Sequence, residues 1–371
     1  MDFDLNIPVR VRSGKGVVMA NAAAVAAIGK RCLIVTGGSS AKKSGALADV
    51  TAMLNSVGVT YDVFSDVGPN PLLSACHRAG ALARDFGADF LFGIGGGSAL
   101  DAAKAAAVYA ANPDFAPRDI YTKQRKPALP LVLVGTTAGT GSEVGRVSVL
   151  TDDATGRKKS VSGDDLYPVF TLADPTYTHS MPRGITVSTA LDALSHAMEG
   201  YFTPKCGDIP SLFAEKAVAL LWAELVRLSE TGGLPDDDAR EKLYYGSLYA
   251  GITLAYCGTA FPHPLGYVLT ENFGTPHGMA CAAFLPAFLR RAMQHRPDRA
   301  ARLLDCMGTT AADFDRIVTA LTDVAGITMT DGDIARFCAR WDESVPNNFR
   351  STPGGYGKED AAKLFKEKFG V

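Results

Sequence analysis

The sequence predicts a parallel α/β domain over residues 1–180 and an all-helical domain over residues 181–371. Two observations carry this reading. Up to about residue 180, short β-rich runs alternate with helical stretches, and glycine stands at the strand exits. That is the pattern of a parallel sheet wrapped by helices. Beyond it only long helical patterns follow, and no run reads as a strand. At 371 residues the chain has room for two cores.

The elements follow in order. Residues 31–36 form an apolar run that reads as a buried strand ending at Gly37-Gly38-Ser39-Ser40. Residues 44–56 read as a helix, 60–64 as a strand and 72–86 as a helix. Residues 89–94 make the next strand and 98–111 an Ala-rich helix, and the strand 131–134 runs into a Thr/Gly loop. In such sheets ligands bind beyond the carboxyl ends of the strands. In the second half, helices are expected over 186–202, 209–231, 237–254, 280–294, 298–307, 310–325 and 331–341. The acidic turn before Ala239 reads as a helix start, its carboxylates complementing the dipole.

Bulk properties exclude several classes. A net charge of -2 gives no electrostatic case for nucleic acid or an anionic membrane. No apolar run approaches the ~20 residues of a membrane span. The start Met1-Asp2-Phe3-Asp4 lacks the basic-then-apolar layout of a signal peptide. Seven scattered cysteines without a CxxC pair read as reduced thiols in a cytoplasm.

The chemistry begins at Asp192 and His196. They stand four residues apart in an apolar helical stretch, so they share one face and one cation could take both. Such a pair is often just a surface hydrogen bond, but a lone carboxylate in an apolar helix is costly. Two of the six histidines, His263 and His277, lie beside turn-forming residues. Three His and one Asp make an N3O set suited to Fe(II) or Zn(II). Upstream, Gly93 to Lys104 follows a strand and opens a helix. Its glycines allow close approach to a pyrophosphate, and the helix N-terminus favours the anion. It is neither a P-loop nor the usual GxGxxG fingerprint. A second Gly-rich loop, Gly135 to Val144, carries hydroxyls suited to ribose, amide or phosphate contacts.

Four segments together resemble the iron-containing (group III) alcohol dehydrogenase family: GGGSALDAAK, TTAGTGSEV, STALDALSHAMEGY and HPLGYVLTENFGTPHG. They occur in the family's order, and the resemblance spans nearly the whole chain. It implies a Rossmann-like dinucleotide-binding domain, a helical catalytic domain and a homodimer. It implies Asp192, His196, His263 and His277 as metal ligands, with Fe(II) the expected ion and Zn(II) the alternative. Gly96, Gly97, Ser98 and Asp101 would meet the pyrophosphate. Thr136, Thr137 and Thr140 would line the nicotinamide end, Lys159 would reach the ribose, and Asn70 the adenine side.

Two departures matter. Many members carry a further histidine four residues after the third ligand, where this chain has Tyr267. Its phenol could relay the substrate proton, or the ring could simply pack. NAD-specific members often place an Asp after the first strand. Here Gly37, Gly38 and Ser39 stand there, with Lys42 and Lys43 behind, so no carboxylate repels a 2′-phosphate. NADP(H) is therefore expected over NAD(H). His77, His179 and His295 read as structural or solvated.

The expected reaction is hydride transfer between NAD(P)(H) and a primary alcohol or aldehyde, with a Lewis-acid metal on the substrate oxygen. Ligating histidines must be neutral, so activity should fall in acid. Glycerol-dehydrogenase-like and dehydroquinate-synthase-like members of the superfamily are the competing enzyme readings. A non-catalytic nucleotide-binding protein is the competing class, although it would need no metal set.

Overall fold

The computed structural model describes residues 6–371, so the acidic start lies outside the described residues. The chain divides into two compact units. One holds residues 6–181 and 236–244, the other 182–235 and 245–371.

The first unit is built on six parallel strands: β1 (Arg10–Ser13), β2 (Arg31–Gly37), β3 (Thr60–Val67), β4 (Phe90–Gly95), β5 (Leu131–Gly135) and β8 (Phe170–Ala173). Their spatial order is β1-β8-β5-β4-β2-β3. A separate antiparallel ribbon pairs β6 (Val147–Thr151) with β7 (Lys158–Ser162). Helices α1 (Val17–Ala20), α2 (Ala22–Ala26), α3 (Ser40–Lys43), α4 (Ala46–Ser56), α5 (Leu73–Phe86) and α6 (Gly97–Ala111) cover the sheet. Strand residues alternate faces. Leu33, Val35, Leu91, Leu131 and Leu133 enter the cluster that holds the α5 and α6 residues. Cys32, Ile34, Phe90, Phe92, Val132 and Val134 enter the one that holds α2 and α4. Burial on both faces explains why β2, β4 and β5 are continuous apolar runs.

After β2 the chain goes outward to β3, then returns past it to β4. The strand order therefore reverses between β2 and β4, and ligands of open α/β sheets bind beyond the carboxyl ends at such a point. The loops leaving β2 and β4 are Gly37-Gly38-Ser39 and Gly95-Gly96-Gly97-Ser98. The Thr-rich loop leaves β5, the next strand across.

The second unit is helical: α7 (Arg183–Phe202), α8 (Asp208–Thr231), α9 (Asp237–Cys257, its first eight residues grouped with the sheet unit), α10 (Pro262–Phe273), α11 (His277–Ala282), α12 (Leu285–His295), α13 (Pro297–Met307), α14 (Ala311–Leu321), α15 (Asp331–Cys338), α16 (Asn347–Arg350) and α17 (Lys358–Phe369). No strand is assigned to it among the described residues.

Several local expectations are corrected. Residues 280–294 form two helices rather than one. The break falls at Ala283-Phe284, and Pro286, which lacks an N–H, sits in the first turn of α12. The helix expected over 310–325 ends at Leu321, where Thr322 turns extended. The strands β1, β6, β7 and β8 and the helices α10 and α17 were not anticipated. β1 (Arg-Val-Arg-Ser) and β7 (Lys-Lys-Ser-Val-Ser) are short, polar and half exposed, so neither shows an apolar period.

Candidate metal centre and cofactor loops

Helix α7 runs 20 residues and is buried all round from Ala190 onward. Asp192, His196 and Glu199 lie at i, i+4 and i+7 on one of its faces. His263 enters from the first turn of α10, where Pro262 and Pro264 are tolerated because the early N–H groups have no helical partner. His277 is the first residue of α11. Close helix approach sets its reach. A Cβ at Gly278 would lie 1.8 Å from Ser188 O and 2.9 Å from Asp192 Cβ, so only glycine lets α11 begin against α7.

The result is a convergent donor set. Asp192 Oδ1 lies 3.7 Å from His196 Nε2, 3.9 Å from His263 Nε2 and 3.8 Å from His277 Nε2. Ligands about 2.0–2.2 Å from one ion in a tetrahedron sit roughly 3.3–3.6 Å apart. The set is therefore slightly wider than a loaded site, and one ion would draw it together. The rings of His196 and His263 stack at 4.8 Å, and that of His277 stands edge-on to His263 at 5.6 Å. Asp192, His196 and His263 are buried, whereas the His277 side chain is 27% exposed. Three imidazoles and a carboxylate out of bulk water fit a divalent transition metal.

Two residues that the sequence did not single out join the set. Glu199, fully buried, accepts from His263 Nδ1 at 2.6 Å through Oε1 and from Ala260 N at 2.8 Å through Oε2. Burial pushes its carboxyl above the usual value, and the His263 imidazole pulls it back. With the proton on Nδ1, the Nε2 lone pair of His263 is left for metal, the arrangement common around ligating histidines. The i+7 spacing from Asp192 was the available signal. Cys281, buried one turn after His277, is the second; its Sγ is 3.7 Å from both ring nitrogens of His277.

Tyr267, one turn after His263 on α10, stacks on His277 at 5.4 Å with an interplanar angle of 12°. Its ring is edge-on to His263 at 6.5 Å. Burial, and after it the neighbouring acidic groups, raise the phenol above its ordinary value.

The cofactor candidates belong to the sheet unit. Asn70, with φ 56°, donates its backbone N–H to Ser98 Oγ at 3.2 Å, tying the loop after β3 to the first turn of α6. Gly96 and Gly97 lie against Thr137 and Thr140. Thr136 N donates to Gly95 O at 2.9 Å. The glycine loop and the threonine loop thus touch along their length. Asp101 is committed inside the protein: Oδ1 accepts from Ser142 Oγ at 2.6 Å and Oδ2 from Val149 N at 2.9 Å. Lys104 Nζ donates to Ser142 O, Ser142 Oγ and Val147 O at 2.7–2.9 Å. Burial lowers Lys104 to about 8, opposed by Asp101 and Glu143. Asp101 and Lys104 therefore brace the second loop and the ribbon from α6. Lys159 sits on β7, its ammonium 4.6 Å over the Tyr121 ring. Gly37, Gly38 and Ser39 stand at the end of β2, and Lys42 and Lys43 follow on α3.

Thr136 Oγ1 is buried without a hydrogen-bond partner among the described residues. Such a group costs roughly 1–3 kcal/mol unless something meets it. A polar ligand group at the loop, such as a carboxamide, would satisfy it.

Known proteins resemble this chain over nearly its whole length. Residues 8–175 match the iron-containing alcohol dehydrogenase family, and residues 186–330 match the C-terminal region of Fe-containing alcohol dehydrogenases. The chain is 32% identical to long-chain-alcohol dehydrogenase 1 of Geobacillus thermodenitrificans, over 90% of this chain and 82% of that protein. The crystal structure of an iron-containing alcohol dehydrogenase from Thermotoga maritima superposes with a TM-score of 0.90 at 31% identity, covering 99% of both chains. Sulfoacetaldehyde reductase from Bifidobacterium kashiwanohense, solved with NAD+, gives 0.88 at 28% identity, also over 99% of both.

Proposed function

Because the chain belongs to the iron-containing alcohol dehydrogenase family, and is thereby a metal-dependent, NAD(P)-linked alcohol dehydrogenase or aldehyde reductase, we propose that it interconverts a primary alcohol and its aldehyde using NADP(H). The observation that carries the proposal is that His196, His263 and His277 each bring Nε2 to within 3.9 Å of Asp192 Oδ1. These four residues would hold the metal. Bound there, a divalent ion supplies Lewis acidity to a substrate oxygen. The nicotinamide supplies or accepts the hydride.

The remaining work falls to the chain itself. Glu199 fixes the tautomer and ring orientation of His263. The phenol of Tyr267, whose ring stacks on His277, would donate a proton to a developing alkoxide. The backbone of Gly96, Gly97 and Ser98 at the start of α6 receives the pyrophosphate, since helix N-termini present N–H groups and positive dipole to anions. Thr136, Thr137 and Thr140 orient the nicotinamide end, with Thr136 Oγ1 as a ready partner. Asn70 contacts the adenine side and Lys159 contacts ribose, while Asp101 braces the threonine loop and β6 through Ser142 and Val149.

Cofactor choice turns on the end of β2. Gly37, Gly38 and Ser39 carry no carboxylate, and Lys42 and Lys43 lie on the helix that follows. A 2′-phosphate meets no like charge there. The NAD+ complex of a 28% identical reductase makes this choice an experimental question for each member. Iron is the family's metal, and zinc competes at nitrogen–oxygen sites. We also place the enzyme in the cytoplasm as a homodimer. The seven free thiols favour a reducing compartment, and no helix among the described residues is long and apolar enough to cross a membrane.

A panel of aldehydes assayed with NADPH and NADH, on Fe(II)- and Zn(II)-loaded protein, tests the proposal. Metal-dependent oxidation of NADPH by one or more simple aldehydes supports it. No turnover with any aldehyde or alcohol in either loaded form refutes it.

A further inference from the structure

The threonine loop, Gly135 to Val144, rests on a buried carboxyl that the proposed chemistry leaves unused. Glu143 lies in the turn Ser142–Val144 that ends the loop, and its side chain folds back against the loop's first residue. A Cβ at Gly135 would fall 2.9 Å from Glu143 Oε1 and 3.1 Å from its Cδ, so glycine there gives the carboxyl its place. Oε1 is buried without a hydrogen-bond partner among the described residues. Thr171 Oγ1 of β8 donates to the backbone carbonyl of the same residue and fixes it to the sheet. The charged neighbours come from α6. That helix brings Asp101 and Lys104, an ion pair at 3.9 Å whose charges offset one another, whereas β5 and β8 bring none. When ionised, Glu143 is therefore the unbalanced charge of the group. Burial raises its carboxyl to about 6, with its own backbone N–H and Lys104 pulling the other way. At neutral pH it is ionised at a cost to the fold, and buried charge kept at such a cost is a mark of functional sites.

We propose that the Glu143 carboxylate biases the bound cofactor toward its oxidised form, by attracting the cationic nicotinamide ring through the loop it supports. The inference rests on the reading that this loop meets the nicotinamide. The oxidised ring carries a formal positive charge that the reduced ring lacks, and the remainder of the two cofactor forms is the same. A carboxylate behind the loop therefore attracts one form and is indifferent to the other. Because Oε1 is shut off from solvent, salt screens this attraction less than it would at a surface. One unit charge acting over about 10 Å at an effective dielectric of about 20 changes such a preference by roughly tenfold. The bias is present where Glu143 is ionised and is lost as pH falls through about 6. By the same linkage, binding the oxidised form favours the carboxylate and releases protons near that pH, and binding the reduced form does not.

Equilibrium binding to the metal-loaded full-length protein tests this. NADP+ and NADPH, and likewise NAD+ and NADH, are titrated between about pH 5 and 7.5, and the ratio of oxidised to reduced dissociation constants is taken for each pair. The two members of a pair share their phosphates, so phosphate titration cancels in the ratio. In wild type the ratio should fall by about fivefold as pH rises across the window, since a tenfold effect moves the carboxyl by about one pH unit. Glu143→Gln keeps the shape and removes the charge, so its ratio should stay flat at the wild-type acid value. Calorimetry in buffers of different ionisation heat should record proton release near pH 6 when wild type binds the oxidised form, and none in Glu143→Gln. A flat wild-type ratio overturns the proposal. So does a Glu143→Gln variant that weakens both forms alike and keeps the fall, because the side chain is then only a brace; either result leaves the loop's contact with the cofactor standing. A wild-type protein that binds none of the four cofactors overturns the nicotinamide reading and this inference together.

Discussion

Replacing Glu199 by Gln should weaken metal binding without substituting any residue of the donor set. The carboxylate presents two acceptors, one to His263 Nδ1 at 2.6 Å and one to Ala260 N at 2.8 Å. A carboxamide has one acceptor and one donor. If its oxygen stays on Ala260, its NH2 faces Nδ1, which must surrender its proton. The ring then carries that proton on Nε2, the nitrogen 3.9 Å from Asp192 Oδ1, and Nε2 can no longer ligate. If the amide flips, two N–H donors meet across the Ala260 contact, and a buried donor left unpaired costs about 1–3 kcal/mol. Loss of such a partner typically lowers metal affinity by about 10–100-fold. That is about 1.4–2.7 kcal/mol. The affinity is read by competition against a chelator of known strength. Thermal unfolding of the metal-free protein separates the two costs, since the donor clash appears there and the tautomer cost does not. Wild-type metal affinity in Glu199→Gln would refute the reasoning.

His263→Ala and His277→Ala should each lose stoichiometric metal and turnover while far-ultraviolet circular dichroism stays unchanged; metal retained at normal rate would remove that ligand from the set. Tyr267→Phe should lower turnover by roughly 10²–10⁴-fold if the phenol relays the proton, with metal content and cofactor affinity unchanged because the ring still stacks on His277; unaltered turnover and pH–rate profile would reduce Tyr267 to packing. Gly37→Asp should shift preference from NADPH toward NADH. The added Cβ would lie 3.3 Å from Val67 O, so the strand end must give by a few tenths of an ångström. A wild-type enzyme about tenfold better with NADH, about 1.4 kcal/mol, would contradict the NADP assignment. Burial raises Glu143 from 4.5 to about 6, and Lys104 partly opposes this. Its neutral form thus favours the folded state below pH 4.5, and that contribution, about 2 kcal/mol, is lost as pH rises through 6. Glu143→Gln should therefore gain stability relative to wild type between pH 4.5 and 6 and hold the difference above it, measured as denaturation midpoints; a pH-independent difference would count against a buried, titrating carboxyl.

The central strands and the donor set were legible in the sequence for different reasons. β2, β4 and β5 are buried on both faces, so each is an uninterrupted apolar run. The four donors stood out because histidine is scarce and Asp192 and His196 share a helical face. What stayed hidden depends on contacts distant in sequence. β1 is four residues with two arginines, and it is a strand only because β8, some 160 residues away, offers it a parallel edge. The Pro262 and Pro264 positions read as breakers, yet they occupy the opening turn of α10, where proline is at home. Asp101 resembles a pyrophosphate contact, and only the fold reveals that Ser142 and Val149 claim its carboxylate. Glu199 and Cys281 each had a helical spacing that fitted, but the spacing gained meaning only when α10 and α11 packed on α7.

The most direct test of the account is the dependence of nicotinamide-linked turnover on metal occupancy. Protein stripped by chelator and reloaded in steps with Fe(II) should show NADPH oxidation by an aldehyde that rises in proportion to bound metal, reaching its limit at one ion per chain. Stripped protein that keeps the full rate would contradict it.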